Sequence, residues 1–318
     1  MQRPSIRTLA AAALATAAAG PCLANDAPAP GTASAFDAPR ASRGSISLGF
    51  QAVHTQGSLD SSGGDLAFLR DLTTDVRSMT VAVDYRLDER WSVNASLPFI
   101  SKRAVNDIGA HNPALLAQPR TDSQFLDDGR YHGTWQDWQL GVTYHTRLGG
   151  FNVRPHAVLV YPSHDYTFFA SAAPGQRLKR LRLGFDASRR LGRSNFHYSA
   201  GYSYELVEKV LGYDFDKHYV RLSGRYDLSP QWSVNVFASG RRAQGLDPSV
   251  FFRERALGSE LWYQHDRLLR QNYGFAGVGA TWRFDETWAI SASTSQMVWG
   301  DTIHDVKYAH EVQVTRGF

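Results

Sequence analysis

With 318 residues, 12% of them aromatic, and a mean hydropathy of −0.35, the chain is polar on average and long enough for one large all-β domain or two ordinary ones. Its formal charge of +4 comes from Arg and Lys scattered through the sequence rather than run together, which argues against nucleic acid as a partner. The single cysteine, Cys22, excludes a disulfide framework and a Cys-based metal site.

Arg3 and Arg7 form a positive n-region, Thr8 to Gly20 is rich in Ala and Leu, and Cys22-Leu23-Ala24 offers small residues before a cleavage point at Asn25. Residues 1–24 therefore read as a secretory signal peptide. A lipoprotein would acylate Cys22, but Pro21 directly before it fits that poorly. Residues 25–43 are dominated by Ala, Pro, Ser and Gly and read as a flexible N-terminal tail. No later stretch of 18 apolar residues exists, so a helical span is excluded. An exported chain of alternating strands can still enter a membrane as a closed barrel.

From Ser45 onward the apolar residues recur with period two. Strands are predicted at about 45–55, 77–87, 91–101, 135–146, 151–161, 178–190, 195–206, 217–228, 232–242, 271–284, 288–299 and 307–318. One phrase recurs: YRLDERWSVN at 85–94, YDLSPQWSVN at 226–235 and WRFDETWAIS at 282–291. Each is an alternating run, a short polar turn, then Trp and a second alternating run, which is the pattern of an antiparallel hairpin. Tight turns follow the even strands and longer loops the odd ones, as in outer-membrane barrels. Residues 44–318 are thus expected to form an all-β, transmembrane, antiparallel up-and-down barrel of about 12 strands. Residues 243–270 are the most ambiguous stretch: Phe251 to Leu269 could be a short helix or strand extensions, and a further hairpin over 250–270 would make 14 strands.

Trp91, Phe151, Phe196, Trp232 and Trp288 each follow a tight turn and would ring one membrane interface; Tyr161, Tyr204 and Phe99 lie toward the other. The last strand, Val312-Gln313-Val314-Thr315-Arg316-Gly317-Phe318, resembles the terminal strand of bacterial outer-membrane barrels, with Arg316 at a place that is usually apolar. That resemblance implies a Gram-negative outer membrane, lipid as a partner, and recognition by the barrel-assembly machinery through the strand ending in Phe318. Trp138-Gln139-Leu140-Gly141, the stretch from Pro162 to Gly175, and Gly300-Asp301-Thr302 resemble the porin-like transporters related to the MetA protein of phenol-degradation pathways. This second resemblance implies a transporter and names no solute.

The opposite strand face would line a lumen. It carries Arg86, Arg154, Arg180, Arg182, Arg190, Lys217, Arg221, Arg225, Arg241, Arg283 and Lys307, against Asp84, Asp137, Asp186, Glu205, Asp227 and Glu311. The basic excess suits a pore for anionic or polar solutes; the alternative is an interior filled by paired charges. Loops 102–134 and 243–270 are candidates to fold in as a constriction.

Gly-x-Ser-x-Gly, Gly-Lys-Ser/Thr and His-Glu-x-x-His are absent. His197 and Ser199 with Asn195 resemble the set of outer-membrane phospholipases, but share the lumen-facing parity. His164-Asp165, His265-Asp266 and His304-Asp305 are candidates for a protease-type rim site. Asp60, Asp65, Asp127 and Asp128 read as solvated loop residues. The sequence therefore points to a passive channel for small polar or anionic solutes, aromatic ones included, without metal or cofactor. A rim enzyme of lipase or protease type and a closed structural barrel remain as alternatives.

Overall fold

Twelve alternating runs pair edge to edge, each with its sequence neighbours, and the last returns to the first. The computed structural model describes residues 43–65, 70–105, 126–247, 250, 259–301 and 303–318. The signal peptide and all of the tail except Arg43 lie outside the described residues. The wall strands are β1 (Gly44–Ser58), β2 (Thr73–Arg86), β3 (Trp91–Val105), β4 (His132–Trp135, Asp137–Tyr144 and Thr146–Leu148), β5 (Phe151–Pro162) and β6 (Arg180–Arg190). They continue as β7 (Phe196–Val207), β8 (Lys217–Asp227), β9 (Trp232–Ala243), β10 (Asn272–Arg283), β11 (Trp288–Asp301) and β12 (His304–Gly317).

The three segments of β4 are one wall strand. At its interruptions the amides of Gln136 and His145 still bond Pro98 O at 2.8 Å and Arg90 O at 2.6 Å, so the ladder bends without parting. β12 closes the ring on β1, in antiparallel register from Ser45 opposite Gly317 to Ser58 opposite His304. All wall pairings are antiparallel. The alternation dictates which face is which. Ile46, Leu48, Phe50, Val81, Val83, Leu140, Leu159, Leu183, Val220 and Val278 stand exposed on the outside. Ser47, Ser92, Asn94, Ser96, Arg182, Glu205 and Thr281 are buried on the inside.

The repeated phrase has a local cause. At each of its turns the first polar side chain caps the backbone that follows. Asp88 Oδ1 accepts from the amides of Arg90 (2.7 Å) and Trp91 (2.8 Å). Asp285 Oδ1 accepts from Thr287 (2.7 Å) and Trp288 (2.9 Å). Ser229 Oγ does the same for Gln231 and Trp232. These are the local side-chain bonds that make Asp and Ser turn formers. In both acids the accepted amides hold the carboxyl below its ordinary pKa.

Three expectations are corrected in detail, and one left open is decided. β2 begins at Thr73 and β3 runs to Val105, longer than predicted. Of the open stretch 250–270, residues 251–258 lie outside the described residues; the described part holds helices α1 (Glu260–Tyr263) and α2 (His265–Leu268), and the wall is the expected one of 12 strands. The connection expected over about 300–306 shrinks to the two residues between Asp301 and His304, so the rule of long loops after odd strands fails at its last instance. Lys307, placed inside by simple alternation, is exposed, because a register shift at His54/Thr55 brings Val306 inward instead.

The turn carboxylates give a pH prediction. Their folded pKa lies below the unfolded value, so their stabilisation is present above about pH 4 and is lost as pH falls through the folded pKa. Asp88→Asn with Asp285→Asn keeps the cap geometry and removes the charge. The acid-side loss of the urea midpoint, read on the folded barrel between about pH 5 and pH 2, should then be shallower than in the native protein. Parallel acid limbs would contradict this.

Candidate functional site

The inner wall of β4 to β8 carries a buried network centred on one carboxylate. Glu205 is fully buried and accepts from Arg182 through Nε (2.9 Å) and Nη2 (2.6 Å) and from the Tyr219 hydroxyl (3.2 Å). Arg180 Nη1 lies 3.6 Å and Lys217 Nζ 3.7 Å away. Arg180 also donates to Asp137 Oδ2 at 3.0 Å. The Arg182 guanidinium stacks on Tyr219 at 4.6 Å. A buried carboxylate is tolerable only when surrounded in this way.

The connection between β5 and β6, residues 163–179, folds into the long-loop end of the barrel as a strap. Phe168, Phe169, Ala172 and Ala173 are buried. Its backbone is tied down residue by residue. Asp127 accepts from the amides of Ala172 (2.7 Å) and Ser171 (3.0 Å). Lys102 Nζ donates to Ala173 O at 2.8 Å, and Gln136 Nε2 to Pro174 O at 2.9 Å. The Tyr166 hydroxyl donates to Asp137 in a short bond. Gln176 takes Lys217 Nζ at 3.3 Å and donates to Asp266 O at 2.7 Å.

Arg267 of α2 closes the arrangement. It donates to the carbonyls of Gln176 (2.7 Å) and Arg177 (3.0 Å) and lies 3.4 Å over the Phe168 ring. Burial, with Arg177 alongside, brings its pKa down to about 10. Burial likewise pushes the Asp127 carboxyl up, against the two amides it caps. Ala170 (φ 144°) and Arg177 (φ 52°) sit in backbone regions that side-chain-bearing residues rarely adopt, so these contacts hold a strained segment in place. The strap joins α1 and α2 in one apolar cluster of Phe168, Phe169, Leu178, Val207, Val210, Phe215, Trp262, Tyr263 and Leu268.

Four residues lower on the wall, a second charged group is looser. Arg154 Nη2 lies 3.4 Å and Arg221 Nη1 3.9 Å from Asp186, with His156 at 3.7 Å. Arg225 pairs with Asp227 at 3.0 Å, and His197 reaches the same acid at 3.3 Å. Arg241 is buried over the Tyr273 ring and donates to Gln271 O at 3.0 Å. Arg283 is buried near the tight-turn end, where Arg86 and Asp84 are exposed at the rim on the same inner parity. Strap and network thus unite Arg180, Arg182, Lys217 and Glu205; the other basic residues stand apart from them.

Trp91, Trp232 and Trp288 are exposed on the outer face at the tight-turn end, and Phe151 and Phe196 are half-buried there. Trp91 packs on Tyr144, Phe151 on Tyr198 and Trp232 on Trp282, so the ring is thicker than the five predicted residues. Arg316 lies over Trp288 at 5.4 Å, which explains a cation on this apolar face. Phe318 exchanges both backbone bonds with Gly44, at 2.9 and 3.0 Å.

The enzyme candidates go to other partners. His197 faces Asp227, Ser199 shares a bond with Ser223, and Asn195 accepts from Arg190. His164 bonds Ser163 and Thr134 while Asp165 pairs with Arg177. His304 bonds Ser58 while Asp305 pairs with Lys307. His265 alone lies near its neighbouring acid, at 3.4 Å from Asp266, stacked on Trp262. Asp60 is occupied by Ser62 and Gly64. Among the described residues no group of three or more metal-ligating side chains gathers.

Sequence reasoning missed the strap, Lys102, Gln136 and Gln176. The signal was present: Phe168-Phe169-Ala170-Ser171-Ala172-Ala173 is an apolar run inside a connection, and surface loops seldom carry one.

The class is a closed 12-stranded antiparallel barrel of outer-membrane type. No protein-family model matches the chain, and no curated protein matches its sequence. Among solved structures, an outer-membrane channel from Pseudomonas putida F1 is similar, with a TM-score of 0.65 over 94% of this chain and 100% of that one at 13% identity. The NanC porin gives 0.48 over 86% and 100% at 9% identity, and the KdgM porin in complex with disordered oligogalacturonate 0.44 over 86% and 99% at 7%. At such identities the shared property is the fold, and the first of these carries it.

Glu205→Gln would leave Arg180, Arg182 and Lys217 around a neutral amide. Removing one partner of a buried ion pair costs roughly 3–5 kcal/mol. A large drop in the urea midpoint is expected, against little change for Arg316→Gln on the outer face. Equal midpoints would mean that the cluster does not hold the wall together.

Proposed function

We propose that the protein is a passive channel of the Gram-negative outer membrane for small polar or anionic solutes. The apolar outer face supports the location: exposed Leu, Val, Phe and Trp cover the strands between two aromatic zones, far more than a water-facing surface tolerates. In this reading residues 1–24 direct export, the tight turns face the periplasm, and the strand ending in Phe318 engages the assembly machinery.

One observation carries the solute preference. On the inner face of β4 to β8, Arg154, Arg180, Arg182, Lys217, Arg221 and Arg225 stand against Asp137, Asp186, Glu205 and Asp227. A basic excess inside a low-dielectric wall lowers the entry barrier for anions and raises it for cations. The strap narrows the outer mouth above this wall. The resemblance to the MetA-related transporters supports the transporter class, and aromatic solutes stay within the proposed range.

Planar-bilayer reconstitution tests the reading. Stepwise conductance is expected, with a reversal potential that favours chloride over potassium and a preference that weakens as salt rises past about 1 M, where the Debye length is ~3 Å. Excising residues 165–177 should enlarge the steps. An ion-tight barrel, or one that prefers cations, would sink it.

A further inference from the structure

The basic wall carries the same charge order twice. The upper row runs Arg182, Glu205 and Lys217 across β6, β7 and β8 in direct lateral register. The lower row runs Arg154, Asp186, Gly201 and Arg221 across β5, β6, β7 and β8. The rows are four residues apart on each strand, about 13 Å at ~3.3 Å per residue.

Their occupancy differs. In the upper row Glu205 is bonded at 2.6 and 2.9 Å by Arg182, and the side chains are 0–7% exposed. In the lower row the acid must serve two guanidinium groups across an extra strand. It stands 3.4 Å from one and 3.9 Å from the other, and the three side chains remain 19–28% exposed. The wider span exists because the intervening position is Gly201. A Cβ there would overlap Asp186 Oδ1, so only glycine lets the carboxylate lie flat on the wall between the two arginines. Each guanidinium offers five donors, and one distant carboxylate uses few of them. Within the row the two guanidiniums exceed Asp186 by one positive charge, His156 Nδ1 lies 3.7 Å from the same carboxylate, and the side chains are partly exposed on the inner face.

We propose that Arg154 and Arg221 form a carboxylate subsite on the channel wall, with Asp186 as its resident occupant. The group already held between the guanidiniums defines the chemistry of the ligand: a planar carboxylate that two forked donors grip from either side. A solute carboxylate docks on the lumen side of Asp186 and takes the donors that Asp186 leaves over. The upper row offers no such place, since its own carboxylate fills it. This deepens the channel reading and rests on it for the route by which solute arrives.

The probe is carboxyl-labelled benzoate, titrated by NMR onto the folded barrel in detergent, with block of the chloride current by benzoate measured on the same variants in bilayers. Native protein should bind saturably, at about millimolar Kd. Arg221→Gln and Arg154→Gln should each weaken binding about tenfold, the scale of a lost hydrogen bond to a charged group. Asp186→Asn should tighten it, because the occupant loses its charge, and Arg316→Gln on the outer face should leave it unchanged. The opposed signs separate a site from a general loss of fold. Absence of saturable binding, or a Kd unmoved by both arginine variants, would overturn the subsite. Benzoate binding without any current would instead overturn the channel reading and leave the subsite standing.

Discussion

A β-strand presents backbone donors and acceptors along both edges, and a ring is the one sheet that leaves neither edge over. Everything else in this molecule follows from meeting that constraint with twelve strands. Because the ladder is closed by β12 on β1, the outer face needs no polar cover and bears Leu, Val, Phe and Trp. Because the period is two, every apolar residue outside forces a partner position inside, and the inside receives the charges.

Those charges then need company. A ring of this size is wider than a filled eight-stranded barrel and narrower than a large porin, so its interior is partly solid and partly loosely filled. The solid part is where Glu205 gathers Arg180, Arg182, Lys217 and Tyr219 and where the strap is stitched to Asp127, Lys102, Gln136 and Asp137. The looser part lies four residues further along, where Arg154, Asp186 and Arg221 keep longer distances and partial exposure. On one wall, locked charge at Glu205 thus gives way to loosely held charge at Asp186, and Arg225 and Asp227 pair closely again nearer the turns.

The wall was legible in the sequence because strand alternation is a local property. Alternation placed Arg180, Arg182, Lys217, Arg221 and Glu205 on one face, and the capped turns at Asp88, Ser229 and Asp285 marked one end. It misassigned Lys307 because a bulge resets the period, and pairing rather than composition decides where a bulge falls. The strap was illegible for a different reason. Its partners, Lys102, Asp127, Lys217 and Asp266, come from four separate stretches, and nothing local in residues 163–179 names them. Only its apolar run hinted that the segment does not live on the surface.

The seam between β1 and β12 reaches across almost the whole chain: Ser47 and Thr315, which share a hydroxyl bond there, are 268 positions apart. A growing sheet therefore carries two open edges until its final strand is in hand, and an open edge invites pairing with any other chain. Contacts so distant in sequence also form slowly. Closure is then an all-or-nothing step taken last, and the nascent molecule has a vulnerable period that lengthens with every strand added before it. A chain held unfolded until that moment, and released beside lipid, would avoid it.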